Sequence, residues 1–304
     1  MNASNGNPPG GMGVLARRPV ARLGYGAMQL SGPGGLIAPP RQTAISVLRR
    51  AAELGVNHID TAHFYGAGLA NELIRAALSP YPDSLVLVSK LGAGEDAQGR
   101  LHPAQRPEQL RAGVEANLRS LGVDRVDVVN LRRLDGPPGI QAEGDQLVDL
   151  DSQLAEMAAL RDEGKIGGIG LSNVSLEQLL QALPTGIACV QNAYSVLDRS
   201  GEDLLALCAE RDIAWVPFFP LGSGFPGRAK VAEHSAVLVA AASLGCTPAQ
   251  VGLAWLLHHD PHILLIPGTA SVAHLEENMA VSRVHLDSAI TATLDTLAPA
   301  TRLP

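Results

Sequence analysis

Asp60, Tyr65 and Lys90 are side chains that exchange protons and balance one another's charge. Lys90 is one of only three lysines in a chain that otherwise draws its positive charge from arginine. It ends a continuous apolar run that starts at Leu85, and a run of that kind reads as a buried parallel strand. An ammonium group at the end of such a strand needs a partner, because desolvating an unpaired charge is costly. A second strand-like segment, His58 to Ala62, carries Asp60, and Tyr65 follows it in the next loop. A phenol with an ordinary pKa near 10 is a poor proton donor at neutral pH. A neighbouring ammonium stabilises the phenolate, and a carboxylate orients that ammonium. The set therefore reads as a tuned general acid facing a carbonyl oxygen.

These residues must be held by several elements at once. Strand-like runs occur at Leu23–Met28, His58–Ala62, Leu85–Leu91, Val126–Arg132, Ile166–Ser172, Cys189–Tyr194, Ala214–Pro220 and Ile263–Pro267. Amphipathic helical patterns lie between them. One opens at Pro107, repeats Leu110, Val114, Leu118 and Leu121, and stops at Gly122. This alternation predicts an α/β fold, a (β/α)8 TIM barrel with its active site at the C-terminal rim of the strands. A doubly wound open sheet is the rival, but Gly32 to Gly35 does not match a dinucleotide fingerprint and Pro33 removes an N–H. Two long inserts, Gly92–Arg106 and Leu134–Leu150, follow the third and fourth strands and are expected to shape the pocket. Asp60, Lys90 and Arg132 then fall on one rim, with Tyr65 beside them.

Composition narrows the function. The chain has 304 residues, 46% of them apolar, and a net charge of −7 with no basic block, which gives nucleic-acid or anionic-membrane binding little support. No apolar stretch approaches a bilayer span. The Asn-, Gly- and Pro-rich residues 1–12 are expected to be a disordered tail preceding a single barrel domain over 13–304. Cys189, Cys208 and Cys246 suit small buried positions in a reducing cytoplasm, and no clustered ligands suggest a metal. Nothing requires more than a monomer or weak homo-oligomer.

Gly55 to Gly66, with Asp60 and Tyr65 inside it, resembles the signature of the aldo-keto reductases, and Val88 to Lys90 resembles the strand that carries their lysine. Gly168 to Asn173 and Gln191 to Tyr194 are similar to the nicotinamide-binding strands of that family. Pro217 to Gly222, Ile266 to Thr269 and Glu277–Asn278 are similar to its dinucleotide-binding segments. The resemblance runs from Gly24 to about Asn278. It implies hydride transfer from NADPH to an aldehyde or ketone, with the proton from Tyr65 and no metal. It also implies that Ser172, Asn173 and Gln191 hold the carboxamide and that Tyr194 stacks on the ring. Ala27, Met28, Asp60, Pro220, Leu221, Gly222, Gly268, Thr269, His274, Glu277 and Asn278 complete the implied cofactor set, and His63, Phe64 and Arg133 line the substrate pocket.

Two departures from the family pattern stand out. Arg132 occupies the strand-four position where the family usually has histidine, and no histidine occurs between His102 and His234. Arginine cannot release a proton but donates fixed hydrogen bonds, so Arg132 is expected to orient substrate and stabilise oxyanion charge. A bacterial subgroup with the same Asn-Leu-Arg segment is similar, and that likeness points to a polar aldehyde such as pyridoxal. The lysine and arginine that often follow the last strand are also absent. NADP is expected by family habit and NADH is possible, with His274 or Arg228 supplying charge. Set against catalysis are a purely structural Asp60–Lys90 pair, a rim salt bridge from Arg132 to Asp135, and a catalytically silent barrel that binds nucleotide as a regulatory subunit.

Overall fold

The computed structural model describes residues 8–32, 37–222 and 229–298. The chain opens with an antiparallel hairpin, β1 (Met12–Leu15) and β2 (Arg18–Ala21). The parallel strands follow: β3 (Tyr25–Gly26), β4 (His58–Asp60) and β5 (Val86–Glu95). The short β6 (Leu101–Ala104) folds back on the end of β5. The parallel series continues with β7 (Val126–Arg132), β8 (Ile166–Ser172), β9 (Ile187–Gln191) and β10 (Ala214–Trp215). Neighbours pair in the order β10-β9-β8-β7-β5-β4-β3. Residues 263–265 close the sheet through parallel bridges from Ile263 to Trp215 and from Leu265 to Leu23. The expected eighth strand is therefore in place as two single bridges.

Helices connect the strands: α1 (Arg41–Glu53), α2 (Leu69–Leu78), α3 (Pro107–Leu121), α4 (Leu150–Asp162), α5 (Leu176–Ala182) and α6 (Glu202–Glu210). They continue with α7 (Ser235–Leu244), α8 (Pro248–His259), α9 (Val272–Met279) and α10 (Ser288–Asp295). Among the described residues no single helix is long and apolar enough to cross a membrane.

The strand alternation sorts side chains into two cores. Val129, Leu131, Ile169, Leu171 and Val190 face the helices, and each such buried aliphatic contributes about 1.5–3 kcal/mol. Val86, Val88, Val128, Cys189, Ala214 and Val216 fill the barrel, which Leu15 and Val20 of the hairpin plug from below. Gly170 leaves the room this layer needs, since a Cβ there would meet Asn130 Oδ1 at 2.0 Å and Cys189 Sγ at 2.7 Å.

The expectation of a disordered tail over residues 1–12 does not hold for residues 8–12. Met12 begins β1, Gly11 N donates to Pro8 O, and Leu23 N donates to Pro9 O. Residues 1–7 lie outside the described residues, as do Pro33–Leu36 of the glycine-rich segment. The first insert, Gly92–Arg106, is largely the β5–β6 hairpin. The second, Leu134–Leu150, is mostly irregular and contains a short 3-10 turn.

Candidate active site

Inward-facing positions at the C-terminal ends of the strands share one level. Lys90 pairs with Asn130, one pleat below Arg132, and Arg132 lies level with Ser172 and Gln191. Asp60 ends β4. Lys90 Nζ donates to Asp60 Oδ1 and, at 3.3 Å, to Thr61 O. The second carboxylate oxygen of Asp60 accepts from Gln191 Nε2 at 2.7 Å. Lys90 is only 6% exposed. Burial opposes its charge, but Asp60 and the Tyr65 oxygen outweigh that effect and hold its pKa above the ordinary lysine value.

Tyr65 sits in a tight turn after β4 that continues through Gly66, Ala67 and Gly68, all with positive φ. Glu95 pins this turn by accepting from Ala67 N at 2.9 Å. Lys90 Nζ lies 5.3 Å from the centre of the Tyr65 ring. Phe64 packs edge-on against that ring at 5.3 Å. The phenol, the ammonium and the carboxylate therefore converge as the sequence led us to expect.

Arg132 is partly buried. Its Nη2 donates to Pro138 O at 2.9 Å, and its guanidinium lies 5.6 Å from the centre of the Phe218 ring. Burial lowers its pKa and the Tyr65 oxygen opposes that shift. The rim salt bridge to Asp135 is made instead by Arg133, at 2.7 Å. Arg133 is buried and also donates to Val148 O and to the Gln153 side chain. It is therefore a brace for the second insert, and the expectation that it lines the substrate pocket does not hold. Strand alternation explains this, because a residue next to inward-facing Arg132 must face outward. His63 points toward α3: a Cβ on Gly68 would lie 3.2 Å from its Nε2, and burial followed by Arg119 depresses its pKa.

Ser172 Oγ and Gln191 Oε1 are buried side-chain oxygens without a hydrogen-bond partner. They occupy paired positions on β8 and β9 beside the Asp60–Lys90 pair. Asn173 does not join them through its amide nitrogen, which donates to Arg133 O at 3.2 Å and Gly136 O at 3.0 Å.

Tyr194 is also elsewhere. It is fully buried between Trp215 and Trp255, and its hydroxyl donates to Glu202 Oε2 at 2.6 Å. Its ring has no free face to offer a ligand, because Trp215, Trp255 and His259 pack around it. A partly exposed aromatic at the rim is Phe218, which the sequence reading did not single out. The signal was present: Ala214 and Val216 face inward, and the same alternation carries Phe218 to the mouth.

The remaining dinucleotide candidates follow β3, β10 and residues 263–265, the last three of them within α9. Ala27 is buried, with its N–H on Asp60 O at 2.8 Å, and Met28 begins a short 3-10 turn. Pro220, Leu221 and Gly222 follow β10 and are partly exposed. Gly268 faces Gly26 so closely that a Cβ would meet its carbonyl at 2.6 Å. Thr269 O accepts from Tyr25 at 2.6 Å. His274 is exposed on the first turn of α9. Glu277 accepts from Thr247 Oγ1 at 2.7 Å, and Asn278 is buried beside it. Arg228 lies outside the described residues.

The sequence model of the Aldo/keto reductase family matches residues 22–299. The chain belongs to the aldo/keto reductase family. It is 48% identical over 287 residues to the pyridoxine 4-dehydrogenase of Escherichia coli strain K12, covering 93% of this chain and 96% of that protein. It is 34% identical over 281 residues to an uncharacterized oxidoreductase of Schizosaccharomyces pombe, covering 91% and 86%. A crystal structure of an aldo/keto reductase from Klebsiella pneumoniae in complex with NADP and acetate superposes with a TM-score of 0.76 at 28% identity, covering 96% of both chains. Like its relatives, this aldo/keto reductase is an oxidoreductase built on the (β/α)8 barrel.

Proposed function

We propose that this aldo/keto reductase uses NADPH to reduce a polar aldehyde of the pyridoxal type to its alcohol, in a reversible reaction. The observation that carries the reading is the pairing of two sites on one rim. Asp60, Tyr65 and Lys90 form a proton-donating set, and beside them two buried oxygens await partners. A primary carboxamide supplies what those oxygens lack: its NH2 suits Gln191 Oε1, and its carbonyl suits a hydrogen bond from Ser172 Oγ. Phe218 offers an aromatic face at the same mouth, the role first expected of Tyr194. When bound, the reduced nicotinamide supplies a hydride to the carbonyl carbon.

The chain's own residues do the rest. Tyr65 gives its proton to the carbonyl oxygen, so aldehyde, hydride and proton together make the alcohol. Lys90 stabilises the phenolate that remains, and Asp60 with Gln191 holds Lys90 in place. Arg132 donates hydrogen bonds to substrate oxygen without titrating. NADPH is favoured over NADH because Klebsiella pneumoniae relatives at 28% identity have been solved with NADP and with NADPH. The pyridoxal assignment rests on the 48% likeness to pyridoxine 4-dehydrogenase. The three free cysteines suit the cytoplasm, and a monomer or weak homo-oligomer suffices for a rim built within one chain. The alternative of a silent regulatory subunit finds no support. Mixing the enzyme with NADPH and pyridoxal, among a panel of aldehydes, should consume the reduced nicotinamide. Nucleotide binding without turnover of any aldehyde would remove the reading.

A further inference from the structure

Arg132 carries a positive charge at the mouth of the barrel that no carboxylate answers. Among the described residues no Asp or Glu forms an ion pair with it, whereas the adjacent Arg133 has Asp135 and the nearby Lys90 has Asp60. The carboxylate within the rim, Asp60, is already committed through both oxygens to Lys90 and Gln191. One guanidinium nitrogen donates to Pro138 O at 2.9 Å, and the ring of Phe218 lies 5.6 Å from the guanidinium carbon. A guanidinium has five N–H donors, so most of its donors remain for a ligand. A charge withdrawn from water without a partner is costly, and a substrate anion at this place would offset that cost. Arg132 stands one pleat above the level of Lys90 on the neighbouring strand, and Lys90 Nζ lies 5.3 Å from the centre of the Tyr65 ring, so the group Arg132 recognises lies on the side of the mouth where the carbonyl oxygen takes the Tyr65 proton.

We infer that Arg132 selects aromatic aldehydes bearing an ionised hydroxyl on the ring carbon next to the aldehyde carbon, its planar fork bridging the hydroxyl oxygen and the carbonyl oxygen. Two oxygens side by side on a rigid ring match a planar donor pair, and a flexible lysine would not reproduce that match. The inference rests on the carbonyl-reductase reading above and adds the chemical class of its substrate. The same Arg132 contact holds negative charge on the carbonyl oxygen as hydride arrives, so selection acts on turnover as well as on binding.

The test compares 2-hydroxybenzaldehyde with 4-hydroxybenzaldehyde. At about pH 9 conjugation with the carbonyl leaves both hydroxyls largely ionised, and only the first places it within reach of the same guanidinium. The wild-type enzyme with NADPH should prefer the 2-hydroxy isomer by roughly 10- to 100-fold in kcat/KM, the range set by a charge-assisted hydrogen bond. Arg132→Met should abolish that preference, and Arg132→Lys should retain only part of it. Reduction of both isomers by the wild type with no preference would overturn the inference and leave the reductase reading standing. A preference that survives in Arg132→Met would also overturn it. If no aldehyde, pyridoxal included, is reduced, the reductase reading itself fails. Should the Met variant not fold, the wild-type ratio and the Lys variant still decide.

Discussion

Catalysis at the residue scale is divided between groups that move a proton and groups that hold a ring. In the proposed reaction Tyr65 is the group that gives the proton, since Lys90 and Arg132 are fixed cations. Tyr65→Phe removes the donor and leaves the edge-on contact with Phe64 in place. Turnover should fall about 10²- to 10⁴-fold, the usual span for a positioned general acid, while NADPH affinity measured by fluorescence titration stays constant. Undiminished turnover would take Tyr65 out of the acid role. Ser172 is the complementary case. If its hydroxyl donates to a carboxamide, Ser172→Ala loses one hydrogen bond of about 0.5–1.5 kcal/mol. NADPH should then bind roughly 3- to 10-fold more weakly, with stability barely changed, because Ser172 Oγ has no partner within the protein to lose. An unaltered Kd would mean that the orphaned oxygen serves some other purpose.

The same rim depends, at the scale of elements, on how the two inserts are fastened. Beyond Leu91 and Leu131 the β5–β7 ladder ends, and Gly92 lets the strands stay close: a Cβ there would meet Arg132 O at 2.3 Å. Gln105 bridges the gap. Its Nε2 donates to Gly92 O at 2.7 Å and to Arg132 O at 2.9 Å, and Gln153 Nε2 reaches back to its carbonyl oxygens. Arg133 joins through Gln153. Gln105→Ala should therefore cost about 2–3 kcal/mol from unsatisfied buried groups and raise the aldehyde KM several-fold. Gln105→Glu, similar in shape but lacking the amide donors, should show the same KM rise, with NADPH affinity unmoved in both. A stability loss without the KM change would make Gln105 structural only. None of this network was legible in the sequence, because Gln105 in the first insert, Gln153 in α4 and Arg133 after β7 are joined by no periodic pattern. What was legible is what apolar continuity dictates: β7 and β8 match their expected bounds, as does α3. Misplacing Tyr194 and Arg133 came from extending motif likeness past the pleat, which alone determines the face a side chain takes.

For the whole molecule, the barrel interior adds a pH dependence that has nothing to do with catalysis. His58 lies inside the barrel one pleat below Asp60, fully buried, with both ring nitrogens unpartnered by protein. Burial pulls its pKa down to about 4. In the unfolded chain the ring has its ordinary value near 6.5, so below that pH the unfolded state binds a proton that the folded state refuses. Stability is therefore intact above about pH 6.5 and falls as pH drops toward 4, by about 2 kcal/mol at pH 5 and 3 kcal/mol at pH 4. His63, also depressed by burial, acts in the same direction. Glu202 enters later. Hydrogen bonds from His259, Arg199 and Tyr194 overcome its burial and hold it down to about 2, so its contribution is present above the ordinary carboxylate range and is lost only below it. Urea midpoints at pH 7 and pH 5 separate the two, since few carboxylates titrate in that interval. The wild type should lose roughly 2 kcal/mol or more between those pH values, whereas His58→Leu should lose much less, whatever its absolute stability. An equal loss in both proteins would exonerate the buried imidazole and place the acid sensitivity elsewhere in the fold.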